Sequence, residues 1–203
     1  NILLVSETCT GKELLAHSIH SESPRSRGPF IAINCAAIPR ELIESELFGY
    51  VAGAFTGARR EGLKGKFELA HNGTLFLDEI NSMSIDLQAK FLRVLDSMEV
   101  TPIGGTNPVA VNVRVIAAAN ENLYTELDQK NFRIDLFHRL SVLEIQIPAL
   151  RERDNDVIEL TNEFLQAECK AAGREPLRLS PELKEPMLNY RWPGNIRELH
   201  NLC

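Results

Sequence analysis

The chain has 203 residues, 44% hydrophobic and 25% charged, with 28 acidic against 22 basic side chains and a net charge of −6. This is an ordinary globular composition, long enough for one sizeable core and a smaller subdomain; it excludes a disordered chain and, with no apolar run near bilayer length, a helix that spans a membrane. The acidic balance argues against broad attraction to nucleic acid phosphates, so any DNA contact is expected from a domain absent from this chain. Cys9, Cys35, Cys169 and Cys203 lack the paired spacing of zinc or redox sites and read as free thiols. The apolar run from Asn1 to Val5 has no basic start of a signal peptide, so the cytoplasm is the expected location. The chain opens directly on that run and stops at Cys203 inside a helical pattern, so it reads as a fragment shortened at both ends.

In chain order, short apolar runs fall at Ile2 to Val5, Phe30 to Ile33, Thr74 to Leu77, Val113 to Ala118 and Val142 to Ile147. They lack polar alternation, as parallel strands buried on both faces do. Helical patterns separate them. The clearest places Leu87, Phe91, Val94, Leu95 and Met98 on one face and Asp86, Lys90 and Arg93 among the outward positions. Alternation of this kind predicts a doubly wound α/β layer over residues 1–148. After Pro148 the pattern is helical only: one helix from near Asp154 to Ala172, ended by Gly173, and a second capped by Ser180 with Pro181 at its first position. A third follows Trp192-Pro193-Gly194, with Trp192 read as core. Residues 149–203 therefore form a helical lid.

Three segments carry chemistry. Between the first strand and first helix lies Ser6-Glu7-Thr8-Cys9-Thr10-Gly11-Lys12-Glu13, where backbone N–H groups and a helix N-terminus would face phosphates and Lys12 would add a positive charge. The general pattern GxxxxGK[ST] wants glycine at position 6 and a hydroxyl at position 13, and this chain has Ser6 and Glu13. Taken alone, the octapeptide also fits a plain strand-to-helix turn. Next, Thr74-Leu75-Phe76-Leu77-Asp78-Glu79 is a strand ending in two carboxylates. Asp78 can hold Mg²⁺, directly or through water, and Glu79 can polarise a water toward the γ-phosphate. Parallel sheets gather such groups at their carboxyl ends, which weakens the alternative of a merely solvated strand end. Between these two segments lies Gly53-Ala54-Phe55-Thr56-Gly57-Ala58, a glycine-flanked phenylalanine without helical or strand period, able to project Phe55 and Thr56 outward. On composition alone an ordinary surface turn would serve as well. His17 and His20 lie three apart on the first helix without an evident third metal ligand.

Together these segments resemble the ATPase domain of bacterial sigma-54-dependent activators, also called enhancer-binding proteins, of which the hexapeptide Gly53 to Ala58 is the signature. The resemblance covers nearly the whole chain. It implies an AAA+ P-loop NTPase fold with a parallel five-stranded sheet in the order 5-1-4-3-2 and an α-helical lid. It places the nucleotide on Ser6, Glu7, Thr8, Cys9, Thr10, Gly11, Lys12 and Glu13; glutamate at position 13 is usual in the family, whereas Cys9 replaces a glycine. Asn34, in Ile33-Asn34-Cys35-Ala36-Ala37, matches an asparagine that holds the catalytic glutamate inactive, a role compatible with capping a strand-to-helix turn. Asn120 resembles the first sensor of the γ-phosphate, with Ala119 where threonine is common. Arg133 and Arg139 resemble the arginine-finger region, which a neighbouring subunit would contribute; the competing reading is a surface ion pair of either with Asp135. Arg197, in Trp192-Pro193-Gly194-Asn195-Ile196-Arg197-Glu198-Leu199, matches the second sensor. The linker Pro148-Ala149-Leu150-Arg151-Glu152-Arg153 also matches and fits a junction between subdomains.

The resemblance further implies catalytic roles for Asp78, Glu79, Asn34, Arg133 and Arg139, with ATP and Mg²⁺ as cofactors. It implies self-association into a hexameric or heptameric ring, and sigma-54 RNA polymerase as the partner of the hexapeptide. The expected work is ATP-driven remodelling of the closed promoter complex. A second reading is a regulatory module that keeps oligomer and sigma contacts while Ser6 and Cys9 impair nucleotide binding. A small-molecule kinase of the phosphate-loop class is a third, opposed by the hexapeptide and the Arg197 segment.

Overall fold

The computed structural model describes residues 1–203. The five runs read as strands become strands in that order with helices between them, and four two-residue strands that the patterning does not mark join them. The elements are β1 (Ile2–Val5), α1 (Lys12–Ser21), β2 (Phe30–Asn34), α2 (Arg40–Phe48), β3 (Gly49–Tyr50), β4 (Leu63–Lys64), α3 (Lys66–Leu69), β5 (Thr74–Asp78), α4 (Ile85–Ser97), β6 (Glu99–Val100), β7 (Val109–Ala110), β8 (Arg114–Ala119), α5 (Leu123–Asp128), α6 (Ile134–Leu140) and β9 (Leu143–Gln146), then α7 (Asp156–Ala171), α8 (Pro181–Asn189) and α9 (Asn195–Leu202). Residues 1–5 and 12–145 form one compact unit, and residues 6–11 and 146–203 a second.

The first unit is built on a five-stranded sheet with the order β2-β5-β8-β1-β9. Numbered by chain order among these five and read from the β9 edge, that is 5-1-4-3-2. β1 pairs with β8, β8 with β5 and β5 with β2, all parallel. Burial on both faces holds for the inner strands: Leu3, Leu4, Leu75, Leu77, Ile116 and Ala117 are all buried. The edge strands depart from that expectation. β2 is only partly buried and β9 is mostly exposed, because an edge strand has a neighbour on one side only.

Helix α4 begins at Ser84, whose hydroxyl accepts from the Leu87 N–H, and it buries Leu87, Phe91, Val94 and Leu95. Met98 is not part of the helical stripe. It ends α4 in a left-handed conformation (φ 53°). Phe91 packs on Phe67 with ring centroids 5.4 Å apart, and Phe67 stacks on Phe48 at 5.9 Å, so α2, α3 and α4 share one aromatic stack. From the ends of α2 and α3 rises the antiparallel pair β3–β4. Its neck requires glycine: a Cβ on Gly65 would lie 2.4 Å from the Phe48 carbonyl carbon, and one on Gly49 (φ +74°) 2.4 Å from the Leu63 oxygen.

The second unit has its own small core of Leu150, Val157, Met187, Trp192 and Leu199. Trp192 is buried, and its indole N–H donates to the Met187 carbonyl at 2.8 Å. Gly173 ends α7 with φ +65°, the left-handed geometry that glycine adopts without steric cost. Ser180 stands at the N-cap of α8 with Pro181 following, but its hydroxyl makes no capping hydrogen bond.

Truncating the α4 end of the aromatic stack tests its weight. Phe91→Ala is expected to lower unfolding stability by about 3–5 kcal/mol, measured by denaturant titration. A loss below about 1 kcal/mol would show that the stack is not part of the cooperative core.

Candidate functional site

Parallel register decides which residues meet at the carboxyl edge of the sheet in the first unit. Asn34 of β2 is level with Asp78 of β5, Leu77 of β5 with Ala117 of β8, and Val5 of β1 with Ala119 of β8. The strands therefore deliver Asn34, Asp78 and Asn120 to one edge. Asp78 accepts the Glu79 N–H on Oδ1 at 3.0 Å, and Asn34 Nδ2 lies 3.4 Å from Asp78 Oδ2. Asn34 Oδ1 accepts the N–H groups of Ala36 and Ala37 at 2.9 and 3.0 Å, which is the capping turn. Its amide thus reaches Asp78, one residue short of Glu79.

Glu79 holds a left-handed conformation (φ 51°, ψ 46°), an uncommon state for a side-chain-bearing residue and one found at functional sites. Asn120 accepts from the Asn122 N–H at 3.1 Å. Lys12 opens α1 and is buried, while Glu13 beside it is exposed. Cys35 is buried next to the two carboxylates. Burial first, then the charges of Asp78 and Glu79, push its thiol up to about 12, so it stays protonated and unreactive.

Both candidate finger arginines sit in exposed ion pairs. Arg133 forks onto Asp135, with Nε to Oδ1 at 3.0 Å and NH2 to Oδ2 at 2.6 Å. Arg139 pairs instead with Asp96 at 3.1 Å and donates to the Leu95 carbonyl at 2.9 Å. Pairs this exposed contribute little to stability and are readily exchanged for a stronger anionic partner.

The hexapeptide caps the β3–β4 hairpin. Gly53 (φ +74°) and Gly57 (φ +92°) stand in open space, and the ring of the half-exposed Phe55 packs edge-on against Tyr50 with centroids 5.0 Å apart. A second loop, unmarked in the sequence reading, braces it. Between β6 and β7, Ile103 bridges Tyr50, with Val51 N to Ile103 O at 3.1 Å and Ile103 N to Gly49 O at 2.9 Å. The Gly104-Gly105 pair was the available signal for this loop.

In the second unit, the 6–11 loop is held by the helical residues. Arg151 forks onto Glu7 with bonds of 3.0 and 2.5 Å, and Asn195 Nδ2 donates to Glu7 Oε2 at 2.9 Å and to the Thr8 carbonyl at 3.1 Å. Hydrogen bonds from Arg151 and then Asn195 hold the Glu7 carboxyl below its ordinary value. The Ile196 N–H donates to the Cys9 carbonyl at 3.1 Å, and Arg153 NH2 to the Thr10 carbonyl at 2.6 Å. Arg197 is exposed in the first turn of α9, so Asn195 and Ile196 are the α9 residues that grip the loop. The two departures from glycine differ physically. Cys9 takes φ 63°, where glycine is at ease and a Cβ is strained. Ser6 is buried and bonds the Thr10 hydroxyl at 2.6 Å.

A parallel sheet in this order with a helical lid defines the AAA+ class. Residues 1–146 match the family model of the sigma-54 interaction domain and residues 151–203 that of the AAA+ ATPase lid domain. The chain belongs to the sigma-54 interaction domain family, with an AAA+ lid. It is 49% identical over 203 residues to the DNA-binding transcriptional regulator NtrC of Klebsiella pneumoniae, covering 100% of this chain and 43% of that protein. It is 52% identical over 200 residues to a signal-transduction and transcriptional-control protein of Clostridium beijerinckii, covering 98% and 32%. The structure of NtrX from Brucella abortus in complex with ADP aligns with a TM-score of 0.90 at 38% identity, covering 98% of this chain and 43% of that one. The chain thus spans 32–43% of the length of these relatives.

The difference between Cys9 and Ser6 predicts opposite signs. Cys9→Gly relieves about 1–2 kcal/mol of strain against an unfolded-chain entropy cost of about 0.4–1 kcal/mol, and is expected to raise the melting temperature. Ser6→Gly removes a buried hydrogen bond worth about 1 kcal/mol and relieves no left-handed strain, so it is expected to lower it. Melting curves that move together would refute this distinction.

Proposed function

We propose that the chain is an ATP-hydrolysing domain that converts ATP and water to ADP and phosphate and uses the cycle to remodel sigma-54 RNA polymerase closed complexes. The observation that carries this is the convergence of Asp78, Glu79, Asn34 and Asn120 at the carboxyl edge of one parallel sheet, directly following strands in register. NtrX from Brucella abortus has been solved with ADP and with ATP, which supports a nucleotide on the corresponding loop, Ser6 to Glu13.

In this reading Lys12 and the loop N–H groups bind the phosphates. Asp78 offers hard carboxylate oxygens, met here only by the Glu79 N–H and a 3.4 Å contact from Asn34. That donor set fits Mg²⁺, which would neutralise charge on the phosphates. Glu79 takes a proton from the attacking water, and Asn120 senses the γ-phosphate. Arg197 contacts the phosphates from the lid. Arg133 and Arg139 release their surface carboxylates and serve a neighbouring subunit's nucleotide in a ring. The exposed tip with Phe55 and Thr56 meets sigma-54. Any DNA contact comes through a domain beyond this chain. No helix is long and apolar enough to cross a membrane; the location proposed with this function is the cytoplasm.

The left-handed Cys9 favours a second reading, a module with impaired nucleotide binding that keeps its oligomer and sigma contacts. It predicts that only a Ser6→Gly, Cys9→Gly variant binds and hydrolyses ATP.

Glu79→Gln is expected to keep ATP affinity within about threefold while turnover falls at least about 100-fold, measured by phosphate release. Unchanged turnover would remove Glu79 from its role. Phe55→Ala and Thr56→Ala are expected to abolish sigma-54 capture and transcription activation without weakening nucleotide binding. A collapse in melting temperature would instead mark 53–58 as a core loop.

A further inference from the structure

Three consecutive carbonyls of the 6–11 loop are engaged by helical residues of the second unit, while the Glu7 carbonyl accepts from the Ser6 and Thr10 hydroxyls within the loop. Thr8, Cys9 and Thr10 each accept one hydrogen bond there, from Asn195 Nδ2, the Ile196 N–H and Arg153 NH2. In a planar trans peptide the C=O of one residue and the N–H of the next point in opposite directions. Fixing these three carbonyls therefore turns the N–H groups of Cys9, Thr10 and Gly11 away from the helices that hold the loop. That is how a loop must present itself to cradle an anion.

The Asn195 side chain is the joint of this arrangement. It is fully buried, its two amide hydrogens go to Glu7 Oε2 and the Thr8 carbonyl, and its Oδ1 accepts the Leu150 N–H at 2.8 Å. With donors and acceptor all assigned, the amide has one orientation. Glu7 completes the clamp by accepting from both Asn195 and Arg151, one residue from Leu150. Both amide hydrogens of Asn195 are used on Glu7 and Thr8, and the Glu7 carboxylate would repel a phosphate, so neither side chain serves as a direct phosphate ligand.

We propose that Glu7 and Asn195 are positioning residues of the nucleotide site, which fix the phosphate loop on the lid through its carbonyls and so aim its N–H groups. The same bonds make α9 follow the loop: the residue beside Asn195 and Ile196 on that helix is Arg197, so nucleotide occupancy is read by the lid through hydrogen bonds as well as through direct contact. This rests on the nucleotide reading above.

Reversing the polarity of one hydrogen bond tests it in the full-length protein, with methylanthraniloyl-ATP as the fluorescent probe. Asn195→Asp sets a carboxylate against Glu7 and the Thr8 carbonyl and is expected to weaken probe binding at least tenfold. Glu7→Gln, the milder change, is expected to weaken it about threefold. Combining them lets an amide at position 7 donate to a carboxylate at position 195, and recovery of at least threefold over Asn195→Asp alone is expected. KM for ATP should rise in the single variants more than kcat falls, a split that general destabilisation would not give. Wild-type affinity in both single variants, or no recovery in the double, overturns the proposal while leaving the nucleotide reading intact. A wild-type protein that binds no probe overturns both.

Discussion

The carboxylate edge of the candidate site depends on register in the parallel sheet. Because β2, β5, β8 and β1 run in one direction and pair in step, Asn34 is fixed opposite Asp78 and the ends of β8 and β1 are fixed level with them. Parallel strands require a crossover between each pair, so residues as far apart in sequence as Val5 and Ala119 arrive at one edge without any direct affinity for one another. A slip by one residue in β5 would turn Asp78 to the opposite face and replace it with Leu77 or Glu79. The buried inner strands prevent that slip, since it would also exchange the two faces of a core that includes Leu75, Phe76 and Leu77.

The 6–11 loop is governed by a different set of forces. Between β1 and α1, both in the first unit, residues 6–11 are structurally part of the second unit. Their bonds are polar and many are charge-assisted: the Arg151 fork on Glu7, Arg153 on the Thr10 carbonyl, and the Asn195 amide. Charge-assisted bonds of this kind are strong and directional. They define orientation where apolar packing would leave freedom. The strain at Cys9 is carried within this frame, since the Cys9 carbonyl is itself fixed by Ile196.

The sequence revealed most where the signal was local. Continuous apolar runs marked the five strands of the main sheet to within a residue or two, and Gly173 and Pro181 marked helix ends by backbone preferences that operate over a turn. Asp78 and Glu79 were visible because they terminate an apolar run. Long-range pairing was illegible. Nothing near Glu7 announces Arg151, 144 residues away, and nothing near Arg139 announces Asp96; a charge matches any opposite charge, so composition alone leaves the partner open. The exposure of β9 was partly legible, because Glu144 and Gln146 alternate with apolar residues in Leu143–Gln146 and a strand buried on both faces does not carry that alternation. Met98 fitted a helical stripe by spacing yet ends the helix, since spacing carries no information about backbone angle.

The bridge between the two glycine-containing loops bears on how such a sequence can drift. A Cβ placed on Gly104 would lie 2.9 Å from the Ala54 Cβ, and Gly104 also holds φ +75°. Position 104 is therefore closed to other residues twice over, once by its own backbone and once by a neighbour fifty residues earlier. Ala54 is confined in turn, because a larger side chain there would press on the loop behind it. The small residues inside the hexapeptide thus answer to a partner loop as well as to the surface they present.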